Sequence, residues 1–336
     1  LDMSVHQETA GVRDDANVTQ QQAKNAPQKQ GGRQSALRRR RWNGRETLAG
    51  YLFILPSIIG FMVFVLYPLV TSVYYSLTKW DGVTTPVFVG LKNYIYIFTK
   101  DPSFIPTLKA TGLFALLSVP SSLILGLLLA VLLNRNLPGI KLFRTALYLP
   151  AILPAIATLT LWKFIYNPQI GLANQVLSFL HLPTSTWLSS YTMALPAIVI
   201  TGLWGIGSTM IIFLSGLQAV PKEIYEAAKI DGAGSLRLFW HTTLPMISPI
   251  IFLQLILQIF GALQAFNQFN ILPGPGFSTE VLMVHIYHTG FGSISQFPQI
   301  GYATAEVWIL FFLIMLVTIF TFRFSSMWVY EENSVD

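Results

Sequence analysis

The sequence predicts an all-α integral membrane protein of six transmembrane helices with both termini on the cytoplasmic side. Three observations carry this reading. Of 336 residues, 53% are hydrophobic and only 11% charged, far from the balance of a soluble globular domain. The apolar residues gather in runs of the roughly 20 needed to cross about 30 Å of hydrocarbon, rather than in the short alternating segments of a β-barrel. Most of the 21 Lys and Arg fall on one side of those runs.

In chain order, residues 1–46 hold almost nothing apolar to bury and are expected to be a disordered cytoplasmic tail. Its Arg38–Arg41 run, directly before an apolar segment, reads as a topology determinant touching anionic lipid rather than as a nucleic-acid arm. The predicted spans are Ala49–Leu77, Ile105–Leu133, Ala146–Tyr166, Tyr191–Leu217, Met246–Leu272 and Tyr302–Phe324. The first is too long for a signal peptide and no A-x-A-like site follows it. Arg135, Lys141 and Arg144 in the second connection, Lys222, Lys229 and Arg237 in the fourth, and Arg323 at the end share the side of the tail. A membrane domain of residues 47–325 and a short cytoplasmic tail of 326–336 follow.

Several chemistries are excluded or weakened. The chain has no cysteine, so it has no disulfide, thiol nucleophile or thiolate metal site. It contains no Gly-Lys pair, hence no P-loop to hold a nucleotide. His285 and His288, at i and i+3 in an outward connection, have zinc-ligand spacing. No third ligand accompanies them, so no metal site is assigned and both are expected to be solvated. Lys163 and Glu306 are ionisable groups inside apolar runs, and both are expected to snorkel at the outer end. Paired intramembrane carboxylates, which an ion-coupled carrier or an embedded hydrolase would use, are missing, and no catalytic residue is assigned.

The fifth span carries an amide-rich face. At about 100° per residue and with Gln254 at zero, Gln258, Gln264 and Gln268 fall within roughly 80° of it, with Gly261 and Ala265 between them. Such a face serves either as helix–helix glue or as a path for a neutral, hydroxyl-rich solute. The residues alone leave both open.

Between the fourth and fifth spans, residues 219–245 form a polar interruption. Pro221 suits a first helical turn and Glu223 and Glu226 favour its positive end, so "EIYEAAKI" is expected to be a short helix. "DGAG" supplies a reversal, and "SLRLFWHTTL" is expected to resume as helix with Ser235 as N-cap. Ala227 and Ala228 leave one side of the first helix nearly bare, as for a docking element.

"EAAKIDGAGSLRLFWHTTLP" resembles the EAA loop of permease subunits of bacterial ATP-binding-cassette importers, whose pattern is EAA, a Gly, and I-x-L-P. The matching residues are Glu226, Ala227, Ala228, Gly232, Leu244 and Pro245, beside Asp231; Thr242 stands where the family has Ile. "FVGLKNYIYIFTKDPSF", "LYLPAILPAIATLTLWKFIYNPQIGLANQVL" and "FGALQAFNQFNILPGPG" resemble the carbohydrate-importing branch, and specifically the larger permease of maltose-type systems. The resemblance implies a type I importer permease fold without catalysis or a cofactor of its own, ATP and Mg²⁺ belonging to separate ATPases. It implies as partners two ATPase subunits docked through the loop, a second homologous permease, an extracytoplasmic sugar-binding protein, membrane lipid and a sugar, in a bacterial cytoplasmic membrane. It places a substrate path on Thr201, Trp204, Gly205 and Ser208 of the fourth span and Gly261, Gln264, Ala265 and Gln268 of the fifth, the face the wheel had selected. Trp204 and Ser208 stand where that permease has an aliphatic and an aromatic residue. The competing expectations are an importer of another polar solute such as glycerol phosphate, an ion-coupled secondary carrier and a membrane-bound transferase.

Overall fold

The computed structural model describes residues 44–135, 138–292 and 297–330. The expectations for the tails of 1–46 and 326–336 therefore lie largely outside the described residues. The chain divides into two units, Leu1–Phe64 and Val65–Asp336, described here separately. The described part of the first unit is helix α1 (Gly44–Phe61) followed by the start of a π-turn, its apolar side chains mostly exposed.

Among the described residues, the regular structure of the second unit is helical apart from one short hairpin, Thr78–Lys79 (β1) paired antiparallel with Val87–Phe88 (β2). Its opening helices are α2 (Tyr67–Ser76), α3 (Lys92–Thr99) and the long α4 (Phe104–Leu133). Next come α5 (Ile140–Ile152), α6 (Ala155–Ile165), α7 (Leu172–Phe179), α8 (Ala194–Trp204) and α9 (Gly207–Ala219). The interrupting loop holds α10 (Lys222–Ile230) and α11 (Ser235–Leu238), and the chain closes with α12 (Ser248–Leu263), α13 (Asn267–Ile271), α14 (Leu282–Phe291) and α15 (Ile300–Ser325).

By length and composition, four helical stretches can cross a bilayer: Leu48–Ser76, Phe104–Leu133, Ser248–Ile271 and Ile300–Ser325. Two bent pairs, α5 with α6 and α8 with α9, raise the number to six when each counts as one span. The third run, Ala146–Tyr166, is thus not one straight helix. It bends by 98° between α5 and α6, because Pro154 has no N–H to give and forces Leu153 into extended backbone, ψ 145°. The fourth bends by 51° around Gly205–Ile206. The fifth breaks after Leu263, where Phe266 leaves helical geometry at φ −128°.

Helix α4 is the central post, packed by α8, α9, α12 and α14. Close approach is set by small residues: a Cβ on Gly207 would lie 2.3 Å from the Leu147 carbonyl oxygen, so α9 and α5 touch backbone to backbone. Polar side chains join elements where apolar packing does not. The Tyr166 hydroxyl donates to the Ala197 carbonyl at 2.9 Å, and the Arg144 guanidinium donates to the Leu133 carbonyl at the α4 C-terminus at 2.7 Å.

Two apolar clusters mark opposite ends. Leu133, Leu217, Val220 and Ile247, with Tyr225 against them, gather at the C-terminal end of α4. Ile97, Phe104, Leu282, Ile286 and Ala305 gather at its N-terminal end. Thirty helical residues separate the ends by roughly 45 Å.

Candidate functional site

Between α4, α8, α12 and α13 lies a cavity of about 210 Å³. Its apolar wall is Phe114, Val199, Leu203 and Ala262, with Gly202 and Gly261 opening the space. Its polar wall is Ser118 and Ser122 from α4, Gln258 from α12 and Gln268 from α13. No lining residue is charged. Phe114 is held edge-on to Phe269 at 4.8 Å, which fixes the α4 side of the wall.

Sequence and structure select overlapping but different residues here. Gly261 and Gln268 line the cavity. Thr201 is buried and bonded elsewhere, to the Ala197 carbonyl at 3.0 Å and the Tyr166 hydroxyl at 3.3 Å. Trp204 is 38% exposed and meets Trp162 edge-on at 5.9 Å rather than facing the cavity. Gly205 forms the bend, and Ser208 is exposed outside the cavity lining. Ala265 joins the apolar cluster around Phe269. Gln264 is exposed at the helix end and does not line the cavity, although its N–H still donates to the Phe260 carbonyl in helical register.

Gln258 combines the two roles the wheel left open. Its side-chain nitrogen donates to the Thr209 hydroxyl at 2.9 Å, joining α12 to α9, while the residue also lines the cavity. Phe114, Ser118 and Ser122 were missed by sequence reasoning. Their i, i+4, i+8 spacing across Pro120 was visible in "FALLSVPSS" and puts all three on one helix face.

The second feature is the loop at the C-terminal end of α4. Helix α10 starts at Lys222 with Pro221 as its N-cap residue, one position earlier than a first-turn proline. It ends in a Schellman arrangement: the Ala233 N–H donates to Ala228 and the Gly232 N–H to Lys229, both at 3.0 Å. Gly232 sits at φ +78°, the left-handed region that glycine enters freely. Gly234, not Ser235, is the N-cap of α11, having extended backbone of ψ 164°, and Ser235 opens the helix without a side-chain cap bond. The segment 235–243 continues through a π-helical turn, Phe239–Thr243. Glu226, Ala227, Asp231, Gly232 and Pro245 are exposed, while Ala228 and Leu244 are half-buried. Beside them Ile230, Leu236 and Trp240 expose large apolar side chains on an otherwise polar loop.

At the opposite end the structure corrects two expectations. Glu306 does not snorkel: its relative exposure is 0%. His285 is not a solvated loop residue; its side chain is 12% exposed and lies against Glu280, Glu306 and Asp101 at 3.0, 3.2 and 3.8 Å. Burial alone would disfavour the charged imidazole, but the hydrogen bond to Glu280 and the neighbouring Glu306 carboxylate outweigh it and hold His285 above the usual histidine range. The α14–α15 packing that encloses this group brings together residues from separate segments, which no local pattern reveals.

Residues 122–331 match the family described as binding-protein-dependent transport system inner membrane component. The chain belongs to this family. The permease is 34% identical over 304 residues to the probable ABC transporter permease protein YesP of Bacillus subtilis, covering 89% of this chain and 97% of that one. It is 34% identical over 281 residues to the multiple sugar-binding transport system permease protein MsmF of Streptococcus mutans, covering 82% and 95%. A chain of a bacterial ABC transporter involved in the import of the acidic polysaccharide alginate superposes with a TM-score of 0.73 at 23% identity, over 84% of this permease and 96% of that chain, which establishes the shared fold.

Proposed function

We propose that this permease is one transmembrane subunit of an ATP-driven, binding-protein-dependent importer of a mono- or oligosaccharide in a bacterial cytoplasmic membrane, working by alternating access. The observation that carries the reading is the cavity wall: two hydroxyls and two amides, all neutral, facing a phenyl ring. Amides and hydroxyls both donate and accept, as sugar hydroxyls require, and Phe114 offers an apolar surface to a ring's C–H face. A phosphate-bearing solute calls for a cation and an ion-coupled carrier calls for a carboxylate, and the lining holds neither. A volume of about 210 Å³, below the roughly 300–1,000 Å³ of pockets for drug-sized ligands, suits one sugar ring at a time.

The chain itself performs no covalent step on this reading. The 219–245 loop docks a separate ATPase, with Glu226, Ala227, Ala228, Asp231, Gly232, Leu244 and Pro245 at the contact and Ile230, Leu236 and Trp240 as apolar anchors. Clustering of Leu133, Val220 and Ile247 puts that loop at the same end as basic Arg135, Lys141 and Arg144, which supports a cytoplasmic position for it. A second homologous permease and a sugar-binding protein complete the assembly.

Affinity purification from native membranes in mild detergent, followed by mass spectrometry, tests the assembly; an ATPase and a second permease are expected. In proteoliposomes made from that assembly with its binding protein, ATP-dependent sugar uptake is expected to fall at least several-fold for Gln268→Ala and Ser122→Ala. Recovery of the chain alone, or uptake indifferent to both substitutions, refutes the docking or the cavity assignment respectively.

A further inference from the structure

We infer that Asp101, His285 and Glu306 form a binding site for a divalent transition-metal ion at the end of α4 remote from the docking loop. Four observations converge on it. One ligand atom from each residue lies within 4.8 Å of the others. His285 Nε2 stands 3.2 Å from Glu306 Oε1 and 3.8 Å from Asp101 Oδ2. Tetrahedral bonds of about 2.1 Å would put such atoms about 3.4 Å apart, so the His285–Glu306 pair already stands at ligand spacing and Asp101 has to move inward to join it.

Glu306 supplies the second observation. It is fully buried, yet neither of its carboxylate oxygens has a hydrogen-bond partner, and His285 Nε2 has none of acceptable geometry either. Unpartnered buried carboxylate oxygens are costly, and a cation satisfies them. Charge gives the third. Asp101, Glu280 and Glu306 are three carboxylates, and their ion pairs among the described residues are all to the single imidazole of His285. Even a charged imidazole leaves an excess of negative charge, which a divalent ion reduces.

The outer arrangement is the fourth. His285 Nδ1 bonds Glu280 Oε1 at 3.0 Å, the carboxylate–histidine relay that turns Nε2 towards a metal. The Tyr302 hydroxyl donates to Asp101 Oδ2 and fixes that carboxylate. An imidazole nitrogen in the set favours zinc, copper, iron or nickel over calcium, magnesium or manganese. Bound there, the ion fastens the start of α4 to α14 and α15, elements at the face where the proposed binding protein would dock.

The test uses the full chain carrying an affinity tag without histidines, stripped with EDTA in mild detergent and titrated with ZnCl₂ by calorimetry, with metal content read by mass spectrometry after desalting. One saturable equivalent of zinc is expected, with a rise in thermal midpoint. His285→Gln and Glu306→Gln are expected to abolish that equivalent and the rise, and Glu280→Gln to weaken binding by about 10–100-fold. Should Glu306→Gln fail to give monodisperse protein, Asp101→Asn replaces it. Absence of stoichiometric zinc in monodisperse wild type, or binding unchanged in the His285 and carboxylate variants, overturns the site and leaves a histidine ion pair only.

Discussion

Replacing Gly232 in the 219–245 loop, the proposed ATPase contact, separates backbone conformation from side-chain contact. Its φ of +78° places an L-residue in the left-handed region, at a cost of about 1–2 kcal/mol. A Cβ there would meet no atom within 4 Å, so the penalty is conformational and not steric. The hydrogen bonds that close α10, Ala233 to Ala228 and Gly232 to Lys229, depend on that conformation. If the ATPase binds the loop only in this shape, 1–2 kcal/mol lowers the competent population, and hence affinity, by about 5–30-fold. Gly232→Val is expected to show the full loss and Gly232→Asn, which tolerates the left-handed region, little of it. The assay is retention of the co-purified ATPase on immobilised permease over a dilution series, with thermal stability measured in parallel. Membrane insertion and thermal midpoint should stay near wild type, because the glycine is exposed. Wild-type retention and sugar uptake for Gly232→Val refute the argument that the turn shapes the docking surface.

Other positions separate packing from transport. Gly207→Ala should destabilise the permease by about 1–3 kcal/mol in detergent unfolding, since its Cβ has the Leu147 backbone in the way; unchanged stability means α5 and α9 are not in contact. Gln258→Leu should cost about 0.6–2 kcal/mol by removing the interhelical bond to Thr209 and also impair uptake, whereas Gln268→Ala should impair uptake with stability kept. Trp204→Ala, outside the cavity, is expected to leave the sugar profile unchanged; an altered profile would restore Trp204 to the path. Asp81 accepts bonds from the Thr84 N–H, the Thr84 hydroxyl and the Val83 N–H, which lower its pKa to about 2. Its contribution to the turn is therefore present above the ordinary carboxylate value and is lost as pH falls through about 2. The Trp80 indole N–H, bonded to the Thr84 carbonyl, reports that loss as a shifted indole resonance; an unmoved resonance at pH 2 shows the turn stands without the carboxylate.

The sequence by itself determined where the chain is apolar enough to meet lipid, where it is interrupted, and to which family it belongs. Length and composition are local properties, so α4 and α15 were legible to within a residue or two. In the 219–245 loop the first helix and the reversal after it were legible, since Pro221 and Gly232 act on their own backbone, whereas the cap at Gly234 and the π-helical turn Phe239–Thr243 were not. Which side of each span faces protein was not. A helix that is apolar all round has no polar stripe to mark its inner face, and lipid is as apolar as a neighbouring leucine. Ser118 and Ser122 therefore gave no sign of meeting Gln258 and Gln268 until the tertiary structure brought α4 against α12 and α13. Bends were not foreseen. Pro154 lies inside a run read as a single span, and the 98° bend between α5 and α6 appears only in the tertiary structure. The residues least legible in sequence were Asp101, His285 and Glu306, which come from distant segments and touch only because α14 and α15 close over the start of α4. Local chemistry decides the elements, whereas contacts between distant polar groups are fixed only when the helices pack.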